Sequence, residues 1–151
     1  MDPLNVSNQS STRSTTQPFS LFVVDDNDDD IILLEEAISS IDNAFIQGIA
    51  RNGMEALEKL DVLKQTRMTP SLMLVDINMP IINGFELLQR VRTILTLEEL
   101  PIIIFSSSSR LEDTELAYKY GANAFLQKPE RFDELEKTIT AAEKFWNRRA
   151  R

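Results

Sequence analysis

Five side chains that could do chemistry stand at the ends of short apolar segments of the chain: Asp25, Asp26, Asp76, Ser106 and Lys128. If those segments are parallel strands of one sheet, their carboxyl ends meet at one edge, and the five groups converge there. Three carboxylates gathered in this way would repel one another, at a cost on the order of 4 kcal/mol for a close pair before screening. A divalent cation would offset that repulsion. Oxygen ligands without histidine or cysteine favour a hard ion, and Mg²⁺ fits best.

The composition limits what other chemistry the chain can do. Its 151 residues include no cysteine and no histidine, which excludes disulfides, thiolate or imidazole metal sites, Ser-His-Asp and Cys-His catalysis, and a phosphohistidine. Sixteen Lys and Arg residues against 24 Asp and Glu residues give a net charge of −8, which disfavours binding to nucleic acid or to an anionic membrane. The apolar runs are short, and the N-terminus has no signal-peptide pattern. We therefore expect no membrane span and a cytoplasmic location.

Short apolar runs of strand type alternate with helical patterns along the chain. The predicted strands cover residues 21–24, 45–50, 72–75, 102–105 and 124–126. Apolar residues at helical spacing follow each strand, over residues 31–41, 54–60, 85–95, 111–120 and 132–146. Pro18, Pro70 and Pro101 each stand just ahead of a strand, where a helix could not continue. The pattern predicts five strand–helix units.

Several predicted strands are apolar on consecutive residues, which is typical of strands buried on both faces of a parallel sheet. Repeated strand–helix units require right-handed crossovers and place helices on both faces of that sheet. We therefore predict a doubly wound α/β fold. Ligand sites in such folds lie at the carboxyl ends of the strands, which is where the five polar side chains are expected.

The segment 76–84 reads Asp-Ile-Asn-Met-Pro-Ile-Ile-Asn-Gly and resembles the phosphoacceptor segment of two-component response-regulator receiver domains. The segment 23–26, Val-Val-Asp-Asp, and the segment 125–129, Phe-Leu-Gln-Lys-Pro, match the same family in the same order. The resemblance, to a chemotaxis-regulator-like receiver, covers residues 19 to about 146. It implies a flavodoxin-like (βα)5 receiver fold with a five-stranded parallel sheet in the order 2-1-3-4-5.

The resemblance also implies a metal site and a phosphoacceptor. Asp76 would be the residue that a histidine kinase phosphorylates. Asp25 and Asp26 would be the acidic pair that helps to hold Mg²⁺, and Asp76 and the backbone carbonyl of Asn78 would complete the site. Such a site makes chemical sense, because a carboxylate attacks a phosphoryl dianion poorly unless cations neutralise the spreading charge.

Four further residues receive roles from the resemblance. Ser106 would hydrogen-bond a phosphoryl oxygen, Ser107 would be the small residue that leaves access for the phosphoryl group, and Lys128 would pair with the phosphoryl charge. Phe125 stands where many receivers have a tyrosine whose ring turns inward on activation. Ser106 and Phe125 are therefore the candidate switch residues, and the alternative for Phe125 is an aromatic core residue of strand five.

The resemblance leaves only short ends of the chain uncovered. Residues 1–18, rich in Ser, Thr, Asn and Gln, are expected to be a disordered tail. Residues 19–147 are expected to form the receiver domain, and residues 148–151 a basic C-terminal end. The connections over 60–69 and 93–100 are longer than minimal, and are similar to those of receivers related to bacterial phytochrome regulators.

Because no output domain follows, the chain is expected to act as a stand-alone receiver. Its partners would be a histidine kinase or phosphotransfer protein and a downstream protein target, reached by phosphorylation-dependent binding or by phosphorelay. A homodimer through the face of helix four, strand five and helix five is a further expectation. No enzymatic activity is expected beyond the phosphorylation and dephosphorylation of its own aspartate.

Other classes of protein fit the sequence less well. A haloacid-dehalogenase-type phosphatase has a second aspartate two residues after its nucleophile, where this chain has Asn78. A flavodoxin-type flavin binder needs a neutral phosphate loop after strand one, where the acidic segment 25–28 would repel phosphate. No Gly-x-Gly-x-x-Gly or P-loop sequence is present, which excludes dinucleotide and ATP binding. A receiver-like scaffold that binds partners without phosphorylation stays open as the alternative.

Overall fold

The computed structural model of the chain describes residues 17–108 and 110–147. Ser109, the predicted basic end and all but the last two residues of the predicted tail lie outside the described residues. The strands are β1 (Phe19–Val24), β2 (Ala44–Ala50), β3 (Leu72–Val75), β4 (Ile102–Ser106) and β5 (Ala124–Gln127). They alternate with the helices α1 (Asp28–Ser39), α2 (Gly53–Gln65), α3 (Gly84–Arg92), α4 (Leu111–Lys119) and α5 (Phe132–Trp146).

The five strands form one parallel sheet in the order β2-β1-β3-β4-β5. This confirms the predicted doubly wound, flavodoxin-like arrangement. The last residue of β1, Val24, pairs with Ala50 of β2 and with Val75 of β3, and Val75 pairs with Ile104 of β4. The carboxyl ends of these strands therefore lie side by side.

Apolar side chains of the strands alternate between two cores, one on each face of the sheet. In β1, Phe22 and Val24 enter the core covered by α2, α3 and α4, whereas Leu21 and Val23 enter the core covered by α1 and α5. Fully burying one such side chain stabilises the fold by about 1.5–3 kcal/mol. The two cores therefore fix the strand ends, and the residues that follow them, in a rigid frame.

Three asparagines begin the helices that follow β1, β2 and β3. The side chains of Asn27, Asn52 and Asn83 accept hydrogen bonds from the backbone N–H groups of Asp30, Glu55 and Glu86, at 3.0, 2.8 and 2.9 Å. Each bond satisfies one of the free N–H groups of a first helical turn. These caps set where α1, α2 and α3 start relative to the sheet edge that carries the polar side chains.

The apolar spacing predicts α1 and α3 to extend further, and α2 to end earlier, than they do in the structure. α1 ends at Ser39 and α3 at Arg92, so Ile41 and Leu95 lie beyond them, although both side chains still pack against a core. α2 continues to Gln65, so most of the predicted connection over 60–69 is helical. Phe132 begins α5 but is 36% exposed, which removes it from the predicted core face.

Among the described residues, no helix has both the length and the apolar character that crossing a bilayer requires.

Candidate functional site

Three carboxylates lie together at the carboxyl edge of the sheet. Asp25 and Asp26 follow β1 and Asp76 follows β3, and one carboxylate oxygen from each lies within 4.8 Å of the others. The pairing of Val24 with Val75 sets this proximity, and the Asp76 N–H donates to the Val24 carbonyl at 3.0 Å. Asp25 and Asp76 are buried, and Asp26 is exposed. The structure therefore brings together the three acids that the sequence placed at one edge.

The donor set of this cluster fits a hard divalent cation. It offers only oxygen atoms, and two of its three carboxylates are buried where like charges repel strongly. The exposed side of the cluster, at Asp26, leaves room for the waters that Mg²⁺ retains in proteins. The acidic cluster can therefore hold a divalent cation on chemical grounds.

Lys128 follows β5 and extends across the sheet edge to the carboxylates. Its Nζ lies 2.8 Å from Asp25 Oδ2, 2.7 Å from Asp30 Oδ2 and 3.6 Å from Asp76 Oδ2. The first two distances are hydrogen bonds, and the third is a longer ion pair. Burial lowers the pKa of Lys128, but the hydrogen bonds to Asp25 and Asp30, together with the negative charges of Asp25 and Asp76, outweigh burial and raise that pKa overall. The ammonium therefore stays charged at neutral pH.

Asp76 is a carboxylate whose charged form is disfavoured by its surroundings. Burial raises the pKa of the Asp76 carboxyl above its ordinary value of 3.8, the Lys128 charge lowers it, and the Asp25 charge raises it again. Backbone N–H groups of Asn78 and Ile77 also lower it, with a smaller effect. Because the net shift is upward, positive charge brought to Asp76 is favourable.

The loop after β3 approaches the site closely through its backbone. Asn78 is exposed, and its N–H faces the Asp76 carboxylate; the predicted contact of its carbonyl with a metal stays a prediction. Gly84, the first residue of α3, donates its N–H to the Ile77 carbonyl at 2.9 Å. A Cβ at position 84 would collide with the Asp76 carbonyl oxygen. Only glycine therefore lets α3 begin this close to Asp76.

Ser106 ends β4 and is fully buried. Its Oγ accepts a hydrogen bond from the Ser108 N–H at 3.1 Å, and its carbonyl accepts one from the Lys128 N–H at 2.7 Å. The Ser108 hydroxyl in turn donates to Asp113 Oδ2 in the first turn of α4, at 2.6 Å. Ser106 therefore connects the backbone of Lys128 to the start of α4.

Phe125 lies in β5, where its partly buried ring packs against the core beneath α2, α3 and α4. It pairs with Ile104 of β4. Its backbone N–H donates to the hydroxyl of Tyr118 in α4 at 3.2 Å. The backbone of Phe125 is therefore bonded to α4 while its ring packs against the core, which leaves the switch interpretation and the core interpretation open.

Sequence reasoning missed two residues of this region, Asp30 and Tyr118. Asp30 is one of three consecutive aspartates, and composition alone does not show which of them faces the site. The available signal was its place directly before buried Ile31, which puts Asp30 beside the inward face of α1. Tyr118 is 51% exposed, and nothing in its spacing indicates a bond to the backbone of β5.

Comparisons with known proteins agree with this geometry. The family model of the response regulator receiver domain matches residues 21–140. Response regulator Rcp1 of Synechocystis sp. is 28% identical over 133 residues, which cover 85% of this chain and 89% of Rcp1. A protein-glutamate methylesterase/protein-glutamine glutaminase of Clostridium acetobutylicum is 37% identical over 119 residues, which cover 78% of this chain and 32% of that relative. The chain therefore spans about a third of the length of that enzyme.

Solved structures give the same result. The phosphorylated cyanobacterial phytochrome response regulator RcpA is 29% identical with a TM-score of 0.75, covering 84% of this chain and 92% of RcpA. The response regulator domain of Thermotoga maritima CheB is 26% identical with a TM-score of 0.74, covering 87% of this chain and 98% of that domain. Since the family model matches most of the chain, and the fold and the acidic edge agree with it, the chain belongs to the response regulator receiver domain family.

Proposed function

We propose that this protein is a single-domain response regulator, formed by residues 19–147, that accepts a phosphoryl group on Asp76. The donor would be a histidine kinase or a phosphotransfer protein, and Mg²⁺ would be the cofactor. The observation that carries this proposal is the setting of Asp76, a buried carboxylate with two further carboxylates within 4.8 Å and the Lys128 ammonium at 3.6 Å. That RcpA was solved in a phosphorylated form supports it.

In the proposed reaction, a carboxylate oxygen of Asp76 attacks the phosphorus of a phosphohistidine on the donor. The new bond is the O–P bond of an aspartyl phosphate, and the P–N bond breaks with its electron pair passing to the imidazole nitrogen. Lys128 pairs with the charge on the transferring phosphoryl group, and the Ser106 hydroxyl turns from its Ser108 contact to donate to a phosphoryl oxygen.

The cation would be held by Asp25, Asp26, Asp76 and the backbone carbonyl of Asn78. A bound Mg²⁺ supplies neutralisation of the charge that spreads over the phosphoryl oxygens. The protein contributes the rigid strand ends that hold its ligands in place before the donor arrives.

The signal would leave the site through the face formed by α4, β5 and α5. Movement of the Ser106 hydroxyl frees the Ser108 N–H, and Ser108 is hydrogen-bonded to Asp113 in α4. The Phe125 ring could then turn inward, since it already borders the core beneath α4. Leu111, the first residue of α4, is 71% exposed and would offer a downstream protein or a second copy of the chain an apolar contact.

The test is incubation of the full chain with acetyl phosphate and Mg²⁺, followed by intact mass. We expect a single phosphoryl adduct on the parent and none on Asp76→Asn, with the adduct lost in excess chelator. The matched control is Asp61→Asn, which removes an exposed carboxylate of α2 that is not part of the acidic cluster and should leave the adduct unchanged. An equal adduct on Asp76→Asn would contradict the assignment. A folded parent that forms no adduct would favour the scaffold alternative.

A further inference from the structure

Asp30 holds the ammonium of Lys128 more closely than Asp76 does. The distance from Lys128 Nζ to Asp30 Oδ2 is 2.7 Å, against 3.6 Å to Asp76 Oδ2. Lys128 is 14% exposed and Asp30 is 34% exposed at the side chain, so water screens this pair only in part. Asp30 is not one of the three acids whose oxygens cluster for a cation. Its partner is the lysine.

The fold fixes Asp30 in this position. Asp30 is the third residue of α1, and its N–H donates to Asn27 Oδ1 at 3.0 Å. The Asn27 N–H donates to Asp25 Oδ1 at 2.9 Å, so the start of α1 is tied to the acidic cluster. The next residue, Ile31, is buried in the core of that face. The backbone of Asp30 is therefore held at the start of α1, at a distance from which its carboxylate reaches the Lys128 ammonium.

One ammonium is thus shared among Asp25, Asp30 and, at longer distance, Asp76. A phosphoryl group carries about −1.5 to −2 charges at neutral pH, and it needs the positive field of Lys128. The negative charge of Asp30 cancels part of that field and also repels the incoming anion. Both effects weaken the binding of a phosphoryl group at Asp76.

We propose that Asp30 is a positioning residue that restrains Lys128 and weakens the binding of a phosphoryl group at Asp76. This inference rests on the proposed function and adds a regulation of that same site. Asp30 sets how much of the lysine charge reaches the phosphoryl position, and so sets how easily the receiver enters its activated state.

The test uses beryllofluoride, an analogue of the phosphoryl group, titrated with saturating Mg²⁺ into the full chain and followed by amide chemical shifts. We expect Asp30→Asn to bind beryllofluoride about three- to fivefold more tightly than the parent, the effect of a partly screened ion pair. Acetyl phosphate should also phosphorylate this variant faster. Asp30→Glu, which keeps the charge, should restore affinity close to that of the parent.

Asp29→Asn is the matched control, because it removes the same charge from the same helical turn. Asp29 is exposed, and its carboxylate makes no hydrogen bond or ion pair with another described residue. If Asp30→Asn binds no more tightly than Asp29→Asn, the inference is wrong. Loss of local structure would weaken binding, so the direction of the change separates restraint from a structural role. A folded parent that binds no beryllofluoride would overturn the proposed function, and this inference with it.

Discussion

At the scale of single residues, the site is built on an excess of negative charge. Asp25 and Asp76 are buried beside one another, and the ammonium of Lys128 is the cation that contacts both in the described structure. Removing one carboxylate should therefore relieve repulsion. Removing the lysine should increase it. This charge balance is a property of the folded chain that can be measured without any partner protein.

Asp76→Asn should raise the thermal midpoint in chelator at neutral pH. A gain of about 1 kcal/mol would correspond to a rise of roughly 2–4 °C for a domain of this size. Added Mg²⁺ should reduce the difference between variant and parent, because the cation neutralises the same repulsion. Differential scanning calorimetry with and without Mg²⁺ measures both effects. If Asp76→Asn were less stable than the parent in chelator, the negative charge of Asp76 would not destabilise the folded state.

The same pair of proteins should show a defined pH dependence. The pKa of Asp76 is raised above 3.8 in the folded state, so the folded protein binds a proton there more tightly than the unfolded chain. Protonation of Asp76 therefore stabilises the folded state. This stabilisation is complete below pH 3.8 and is lost as the pH rises through the folded-state pKa of Asp76. The advantage of Asp76→Asn, measured by urea unfolding, should therefore be largest at neutral pH and shrink as the pH falls towards 3.8. If the stability advantage of Asp76→Asn grew as the pH fell, the pKa of Asp76 would be lowered, not raised, in the folded state.

At the scale of elements, the half-buried Arg92 joins the end of α3 to the loops that precede β4 and β5. The guanidinium of Arg92 donates to the carbonyls of Gly121 and Leu100 at 2.8 Å each, to the Thr96 carbonyl at 2.9 Å and to Asn123 Oδ1 at 2.9 Å. Burial lowers the pKa of Arg92 to about 10, which still leaves it charged at neutral pH. Its planar fork of donors matches this set of oxygens, and an ammonium could not.

Arg92→Lys should lower the free energy of unfolding by about 2–4 kcal/mol, because several oxygen atoms in part-buried positions lose their donor at once. Arg90→Lys is the matched control on the same helix. Arg90 is exposed and pairs with Glu86 at 2.9 Å, so its replacement should cost about 0.5 kcal/mol or less. Urea unfolding of both variants in the same buffer measures the difference. Equal losses would mean that the Arg92 contacts add nothing beyond an ordinary surface pair.

The elements also show how far the sequence could lead. Runs such as Ile102, Ile103 and Ile104 predict buried strands because both faces of the sheet are covered, and the structure confirms them. The convergence of Asp25, Asp26 and Asp76 follows from strand order alone. The contact between Asp30 and Lys128 could not be predicted in this way, because the two residues lie 98 positions apart in the chain. It depends on where α1 starts and on how far the two side chains reach. The spacing of hydrophobic residues does not predict such polar contacts.

At the scale of the whole molecule, signalling from the proposed phosphorylation site requires that site to be connected to the α4–β5–α5 face. Ser106 should carry that connection through its bond with the Ser108 N–H, and Phe125 through the turning of its ring. Binding of beryllofluoride should shift amide resonances on that face strongly in the parent and weakly in Ser106→Ala and Phe125→Ala. Ser107→Ala, a change at an exposed neighbouring serine, is the control and should behave as the parent does. Equal shifts in all four proteins would leave Ser106 and Phe125 as core residues only.

Under the proposed function, Asp76 is the residue that accepts the phosphoryl group. Borohydride reduces an aspartyl phosphate to homoserine, which marks the position permanently for peptide mass spectrometry. After treatment with acetyl phosphate and Mg²⁺, we predict homoserine at position 76 and at no other aspartate. Homoserine at position 25 or 26, or its absence from the chain after an intact-mass measurement has shown an adduct, would contradict the account.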